Sequence, residues 1–285
     1  MDQAPGFYRH RIGSVVVTAL NDGGGDLPFA ALLGIIPEDA QTLLAQSFRP
    51  PVGRTTVNTF LVQTAGRTVL IDTGAGASFG PTAGKLPANL AAAGVAPGDI
   101  DLVLLTHLHG DHTGGLVHNG TAVFPNAAVG VAEAEFAYWL DDANAAKVPE
   151  ARRGGFATAK AALAPYMGRL HTLTSAPAAP GITPVPLPGH TPGHTGFRIK
   201  DGDAALLIWG DVIHLQDIQG PRPEIGLAFD IDMQKATETR QHTLDMAASE
   251  RLLVAGMHLS FPAFHHVARA GSGYRLEPVM WAPTP

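Results

Sequence analysis

The sequence predicts an α/β fold built from two similar halves, each combining a sheet with helices. Short apolar or alternating segments bounded by glycine and proline recur in both halves, and several end in histidine or aspartate. Stretches with the end signals of helices lie between them. The chain has no internal repeat with a period of about 20–50 residues. It also has no change of composition that would indicate a linker between domains. We therefore expect one domain over residues 1–285.

The first half begins with three predicted strands at residues 14–20 (SVVVTAL), 58–64 (NTFLVQT) and 67–72 (RTVLID). The last two join across Ala65-Gly66, as in an antiparallel meander. Residues 85–94 (KLPANLAAAG) have the spacing of a short helix that ends at its glycine. Residues 101–106 (DLVLLT) then predict a buried strand that leads directly into the loop THLHGDHTGG.

The second half contains three further predicted strands, each followed by a histidine or an aspartate. They are residues 181–187 before PGHTPGH, residues 204–209 before GDVIH, and residues 252–255 before GMH. Residues 232–251 lie between the last two and predict the longest helix, with Asp232 as a possible N-cap. Strand ends therefore deliver His190, Asp211 and His258.

Composition excludes several classes of partner and chemistry. Hydrophobic residues make up 45% of the chain, enough for a large core. Charged residues make up only 15% and the net charge is -6, so we expect no nucleic-acid partner. The absence of cysteine excludes disulfides, thiolate ligands and a cysteine nucleophile. Any metal must therefore be held by nitrogen and oxygen.

No membrane partner is expected either. The chain contains no run of about 18 apolar residues that could span a bilayer. Its start, MDQAPGFYRHRIG, lacks the basic and apolar segments of a secretory signal. A cytoplasmic location is the expectation that follows.

The loop THLHGDHTGG concentrates metal-ligand side chains. His107 and His109 are two residues apart, so their rings project the same way from an extended chain, while Asp111 and His112 follow the turn at Gly110. A catalytic ion takes about three protein ligands and keeps an open position. Together with the three residues at later strand ends, the set is large enough for two ions, and a carboxylate such as Asp211 has two oxygens with which to bridge them.

The order HxHxDH, PGHTPGH, GD and a late GxH resembles the metallo-β-lactamase superfamily. This resemblance implies a four-layer αβ/βα sandwich with a dinuclear metal site at one edge. It also implies the ligands: His107, His109 and His190 for one ion, Asp111, His112 and His258 for the other, and Asp211 as the bridge. Two divalent ions are expected, with zinc first and manganese, cobalt or iron as alternatives.

Further segments resemble the methyl parathion hydrolase branch of that superfamily, which is similar to lactonases and arylesterases such as dihydrocoumarin hydrolases. They are PGFYR, VTALNDG, LIDTGAG, FGPTAGKLPANLAAAG and HLSFPAFHHVARAGSGYRLEPV, so the likeness spans nearly the whole chain. It implies a bridging hydroxide that cleaves small lactones or aryl esters, with organophosphate triesters as a side activity. A dedicated organophosphate phosphotriesterase is the alternative. Relatives form dimers, so a homodimer is expected, and residues 26–36 (DLPFAALLGII) are the expected partner surface or lid.

Departures from related patterns narrow the function. Quorum-quenching lactonases carry a tyrosine shortly after the bridging aspartate, where this chain has His214. Flavodiiron proteins replace the second histidine of the motif by glutamate, whereas His109 is present here. An iron-dependent oxidoreductase on the same fold is the alternative from another class, but no cysteine or flavodoxin-like extension is present to relay electrons.

The remaining candidate residues divide by expected role. Asp211, Asp111 and His214 are the candidates for catalysis. Phe79, Trp139 and Phe156 match an aromatic pocket wall in methyl parathion hydrolases, and with His214 they are the expected substrate-binding residues; buried core is the alternative for the aromatic residues. Asp72, Thr191 and His194 either orient ligand imidazoles or have ordinary structural roles.

Overall fold

Two mixed β-sheets pack face to face, and helices cover the outer face of each. A computed structural model describes residues 3–285, so the first two residues of the predicted domain lie outside the described residues. The arrangement confirms the predicted α/β sandwich, with the order helix, sheet, sheet, helix.

The strands and α-helices are numbered here in chain order. The strands are β1 (Phe7–Ile12), β2 (Val15–Leu27), β3 (Leu32–Leu33), β4 (Gly53–Thr64), β5 (Arg67–Ile71), β6 (Leu102–Leu104), β7 (Val117–His118), β8 (Thr121–Ala122), β9 (Ala128–Ala132), β10 (Leu170–Leu173), β11 (Ile182–Pro186), β12 (Thr195–Asp201), β13 (Ala204–Ile208), β14 (Gly226–Leu227), β15 (Leu253–Ala255), β16 (Phe264–Ala270) and β17 (Gly273–Pro278). The helices are α1 (Pro37–Gln46), α2 (Leu86–Ala92), α3 (Gly110–Thr113), α4 (Glu133–Leu140), α5 (Asp142–Lys147), α6 (Glu150–Leu163), α7 (Gln216–Gln219) and α8 (Met233–Glu250).

The first sheet has the strand order β1-β2-β4-β5-β6-β9-β10. Its first four strands pair antiparallel, and β5, β6, β9 and β10 are parallel. The predicted meander is confirmed, but β2 is longer than predicted. It continues through the glycine-rich stretch to Leu27 because it stays paired with β4 beyond a bulge between Asn21 and Gly23.

The second sheet has the order β11-β12-β13-β15-β16-β17 and contains the three predicted strands of the second half as β11, β13 and β15. Helix α8 lies in the predicted range, and the Asp232 side chain accepts a hydrogen bond from the Lys235 backbone at 2.9 Å. The predicted N-cap is therefore present.

Alternation along the strands builds the two main cores. Phe60 and Val62 on β4 pack between the sheets with Phe197 of the second sheet. Leu61, between them, points to the opposite face and packs with Leu90 of α2. Period-two alternation thus lets one strand contribute to both cores, and each fully buried aromatic or aliphatic side chain contributes about 1.5–3 kcal/mol.

The two sheets bring the ligand-type histidine and aspartate residues to one common edge. Strands β5 and β6 run parallel in the first sheet, as do β13 and β15 in the second. The segments that follow them carry Asp72, the histidine loop, Asp211 and His258. Parallel strands end at the same edge of a sheet, so face-to-face packing brings both sets together.

Residues 26–36, the predicted partner surface or lid, belong partly to the core of the chain itself. Leu32 is buried against Leu215 and Ile218, and β3 pairs with β14. Leu33 and Ile36 are exposed, and the expected homodimer stays a prediction. Among residues 3–285, no helix combines the length and apolarity needed to cross a membrane.

A buried arginine ties α8 to the loops at this edge. Arg240 donates to the carbonyls of Val212, Pro223 and Ile225 at 2.8–3.1 Å, and its Nη2 lies 3.8 Å from Asp230 Oδ2. The side chain is almost fully buried. Its guanidinium group therefore provides hydrogen bonds to buried carbonyl groups that water does not reach.

Replacing Arg240 by alanine should strongly destabilise the fold. The change leaves the buried carbonyls of Val212 and Pro223 without this donor and removes the cation beside the buried Asp230 carboxylate, and loss of one partner of a buried charge pair typically costs about 3–5 kcal/mol. Urea unfolding followed by circular dichroism measures the loss. Gln241→Ala, at the next and exposed position of α8, is the control and should stay within about 0.5 kcal/mol of wild type. Equal stability of the two variants would contradict this role for Arg240.

Candidate dinuclear metal centre

The histidine loop takes its shape from a short helix that begins immediately after its second histidine. His109 has extended backbone (φ -69°, ψ 155°) and is the N-cap residue of α3. Its carbonyl accepts the backbone N–H groups of His112 and Thr113 at 3.1 Å. His107 and His109 thus precede the turn, whereas Asp111 and His112 lie within it. The loop therefore presents two pairs of ligand-type side chains in different directions.

A first triad of imidazoles converges from two loops. His107 Nε2 and His190 Nε2 each lie 3.0 Å from His109 Nδ1. These three nitrogens form a group that could hold one metal ion. His107 and His109 come from the loop after β6, and His190 comes from the loop before β12.

A second triad lies beside the first. Asp111 Oδ2 is 3.6 Å from His112 Nε2 and 3.4 Å from His258 Nε2. These atoms form a second group that could hold a metal ion. His258 follows β15 of the second sheet, so this triad, like the first, joins the two halves of the chain.

The carboxylate of Asp211 lies between the triads. Its Oδ2 is 3.6 Å from His107 Nε2 and 3.4 Å from His190 Nε2 on one side. On the other side it is 3.2 Å from the Nε2 atoms of both His112 and His258. The structure therefore brings all seven sequence-predicted ligand residues together, with Asp211 in the shared position.

The buried donor atoms fit divalent metal ions. His112 Nε2, His258 Nε2 and Asp211 Oδ1 are buried and make no hydrogen bond. Unpaired buried polar atoms are costly in a folded protein, and coordination to a cation removes that cost. The set of imidazole nitrogens and carboxylate oxygens suits zinc and its neighbours.

Other groups fix the second nitrogen of most ligand imidazoles. Asp72 Oδ2 lies 2.7 Å from His112 Nδ1, and Asp230 Oδ1 lies 2.8 Å from His190 Nδ1. The Thr56 carbonyl lies 2.8 Å from His258 Nδ1. Such contacts set the tautomer and the ring orientation of a ligand. They leave the opposite nitrogen of each ring for the metal.

The three residues expected to orient ligands have different surroundings. Asp72, with a left-handed backbone (φ 56°), contacts His112 and also accepts from the Thr106 backbone and hydroxyl. His194 Nε2 accepts from the Asp211 backbone N–H at 2.9 Å, and the His194 ring packs edge-on against the His107 ring, at 5.3 Å between centroids. Thr191 is buried, and its side chain lies beside the Glu135 carboxyl group, whose pKa it lowers.

Burial and neighbouring charges set the protonation of the site. Burial lowers the pKa of His109 to about 3 and that of His214 to about 4, so both rings are neutral near pH 7. Burial opposes charge on His258 too, but the Asp211 and Asp111 carboxylates raise its pKa to about 10. Although burial alone would raise the pKa of Asp211, His112 and His258 hold it well below its usual range. The carboxylates are therefore ionised.

A cavity of 540 Å³ opens onto the metal-ligand cluster. Phe79, 44% exposed, and Phe229, 38% exposed, both line it, as do Leu27 and His214. The His214 Nε2 atom lies 3.0 Å from Asp211 Oδ2, so His214 belongs both to the wall and to the cluster. The volume suits a small organic ligand, since such sites commonly measure about 300–1,000 Å³.

Trp139 and Phe156 do not line this cavity, contrary to the expectation of an aromatic pocket wall. Both are buried in the core between the first sheet and its helices, with ring centroids 4.7 Å apart. The Trp139 indole packs edge-on against the His109 ring, at 5.3 Å between centroids. Trp139 therefore supports a ligand from behind. The buried-core alternative describes these two residues.

Several residues at the site carry no sequence signal that identifies them. Asp230 precedes the capping aspartate of α8 without any motif, and the Thr56 contact is made by backbone. Phe229, in the loop after β14, and Leu27, the last residue of β2, reach the cavity from positions far apart in the chain. A carboxylate in an apolar stretch, as in LAFDID, is the only local hint, and it points equally to a helix cap.

Comparison with known proteins identifies the family. The model of the metallo-beta-lactamase superfamily matches residues 52–258. A crystal structure of the hydrolase AbOPH, of the beta lactamase superfamily, is 34% identical, with a TM-score of 0.94 over 99% of this chain and 100% of that one. AidC, a dizinc quorum-quenching lactonase solved with a product, is 27% identical, with a TM-score of 0.92 over the same shares.

A more distant structure shares the fold. A probable metal-dependent hydrolase from Staphylococcus aureus is 22% identical, with a TM-score of 0.77 over 95% of this chain and 100% of that one. No curated protein matches the chain. The family match covers well over half of the chain and includes every ligand-type residue described above. The chain belongs to the metallo-beta-lactamase superfamily.

Proposed function

We propose that this protein is a dinuclear metal-dependent hydrolase that cleaves small lactones or aryl esters. The observation that carries the proposal is the position of Asp211 Oδ2 between two metal-binding triads, at the base of a largely apolar cavity. This arrangement offers two adjacent cation sites with shared access to a bound substrate. Zinc is the proposed metal, with manganese, cobalt or iron as alternatives.

Likeness to AidC supports a lactone or a related ester as substrate. AidC is described as a dizinc quorum-quenching lactonase and was solved with an acylated homoserine product. Its likeness to this chain extends over 99% of the residues. The cavity walls formed by Phe79, Phe229 and Leu27 suit an apolar acyl or aryl group.

Two divalent ions in such a site supply a lowered water pKa and polarisation of the substrate oxygen. In the proposed mechanism, the residues of the chain provide position and proton transfer. Asp211, the carboxylate between the triads, orients the attacking water, accepts its proton and passes that proton to the leaving oxygen. His214 donates from Nε2 to a substrate oxygen or to Asp211. Asp111, which lines the cavity, provides the carboxylate ligand of the triad that it forms with His112 and His258.

Replacing Asp211 by alanine should abolish hydrolysis and reduce the metal content. The change removes the carboxylate that lies between the two triads, so both ions lose a ligand and the attacking water loses its proton acceptor. Metal per protein by mass spectrometry and the rate of ester hydrolysis measure the two effects. Asp203→Ala, an exposed aspartate at the other end of β13, is the control. Full activity of the Asp211 variant would refute the mechanism.

Chelation should inactivate the protein and lower its melting temperature. The metal site is assembled only in the folded state, so metal binding stabilises that state. A free metal concentration of about 1,000 times Kd adds about 4 kcal/mol to the free energy of unfolding. Activity and differential scanning fluorimetry should both recover on adding zinc, with manganese, cobalt and iron tested in parallel. Hydrolysis that continues at full rate without bound metal would contradict the proposal.

A side-by-side substrate panel tests the order of activities. Dihydrocoumarin, an acyl-homoserine lactone, p-nitrophenyl acetate and methyl paraoxon present the same site with lactone, ester and phosphotriester centres. We expect the highest kcat/KM on a lactone or the aryl ester and a lower value on methyl paraoxon. A trigonal carbonyl and a tetrahedral phosphorus demand different pocket geometry. The highest kcat/KM on methyl paraoxon would instead favour a dedicated phosphotriesterase.

A further inference from the structure

Glu135 is a buried acidic residue that the proposed chemistry does not use. It lies in the first turn of α4, is fully buried, and belongs to neither metal triad. Burial raises the pKa of its carboxyl group, and the backbone N–H groups of Leu108 and Gly193 oppose that change. A buried carboxylate without a cation beside it needs donors on both oxygens.

Both oxygens are bonded, and they bond to different loops. Oε1 accepts the Leu108 backbone N–H at 2.9 Å and the Trp139 indole N–H at 2.6 Å. Oε2 accepts the Gly193 backbone N–H at 2.9 Å. Leu108 lies between His107 and His109, and Gly193 lies three residues after His190. One carboxylate therefore joins the two loops that supply the whole first triad.

Close packing reinforces this link. A Cβ atom at Gly193 would meet the Glu135 backbone nitrogen at 2.2 Å, so the loop touches α4 where only glycine fits. Trp139, one helical turn after Glu135, packs against His109. Glu135 thus acts on the first triad through the backbone beside two ligands and through the ring behind one of them.

The second triad has other supports. Asp72 contacts His112, and the Thr56 carbonyl contacts His258. No hydrogen bond within residues 3–285 joins Glu135 to Asp111, His112 or His258. Loss of the Glu135 carboxylate should therefore weaken one triad and spare the other.

We propose that Glu135 is a positioning residue that holds the His107, His109 and His190 triad in metal-binding geometry by clamping its two loops together. This inference rests on the metal centre of the proposed function, but it does not depend on the substrate. It predicts an asymmetry between the two ions that general destabilisation does not produce.

Glu135→Gln is the sharpest test. An amide has one acceptor oxygen and one donor nitrogen, so whichever way it turns, its N–H₂ faces a backbone N–H at one loop. After zinc loading and removal of excess metal, competition with a chromogenic chelator gives two stepwise dissociation constants. We expect one constant to rise by about 10–100-fold, as for other groups that hold metal ligands in place, and the second to be unchanged. Anomalous diffraction at the zinc edge should then find the retained ion in the Asp111, His112 and His258 triad.

Two further variants complete the experiment. Glu133→Gln makes the same chemical change at an exposed position of the same helix and should retain both ions. Glu135→Asp keeps the charge but shortens the side chain by one methylene, so it cannot reach both loops and should lose the same ion. It carries the test if the glutamine variant does not fold.

The outcomes separate this inference from the proposed function. Unchanged constants in both Glu135 variants, an equal loss at both sites, or retention of the ion by the first triad would each refute the clamp. A wild-type protein that binds two ions but hydrolyses no ester or lactone would refute the proposed function and leave the clamp intact. Fewer than two ions in the wild type would refute the metal centre and the clamp together.

Discussion

The carboxylate of Asp211 is the contact on which the site depends, because it lies within 3.2–3.6 Å of imidazoles from both triads. Those imidazoles follow strands of two different sheets, so their meeting point exists only if the sheets pack in one register. The core between the sheets, with Phe60, Val62 and Phe197, fixes that register. Close packing of this core, away from the site, thus determines the distances between the ligand side chains.

Concentrating so many buried imidazoles and carboxylates is costly in the absence of metal, and the surrounding groups offset part of that cost. Asp72, Asp230 and the Thr56 carbonyl each occupy one ring nitrogen, while Arg240 holds the loops that carry Asp211 and Asp230. The contacts to the imidazole rings all involve Nδ1, so the Nε2 atom of each of these rings stays available to a metal ion. The site is therefore shaped for cations by the folded chain, although the cations themselves would supply much of its stability.

The cavity is assembled differently from the metal-ligand cluster. Its walls come from loops and strand ends, where sequence can vary without disturbing the sheets. The loop that carries Phe79 is attached to the core by Asp22, whose buried carboxylate accepts backbone N–H groups of Ala75, Gly84 and Leu86. The helix behind the cluster contributes Trp139 and Glu135, which contact the ligand loops and leave the cavity free. The aromatic residues that pack behind the cluster are thus different from those that line the cavity.

Local sequence pattern alone predicted the strands that lead to the site, the long helix with its Asp232 cap, and the residue types that converge at the strand ends. These features follow from periodicity and capping, which act over a few neighbouring residues. Tertiary structure decided the contacts between segments that are distant in the chain. The extension of β2 to Leu27 required its pairing with β4, and the roles of Asp230 and Glu135 required loops far apart in the chain to meet. Trp139 and Phe156 could be recognised from sequence as aromatic residues, but only the packing of α4 and α6 against the first sheet placed them in the core behind His109. The sequence therefore contained the ligand-type residues, and the fold determined which groups orient their side chains and which residues line the cavity, because those contacts depend on distances through space.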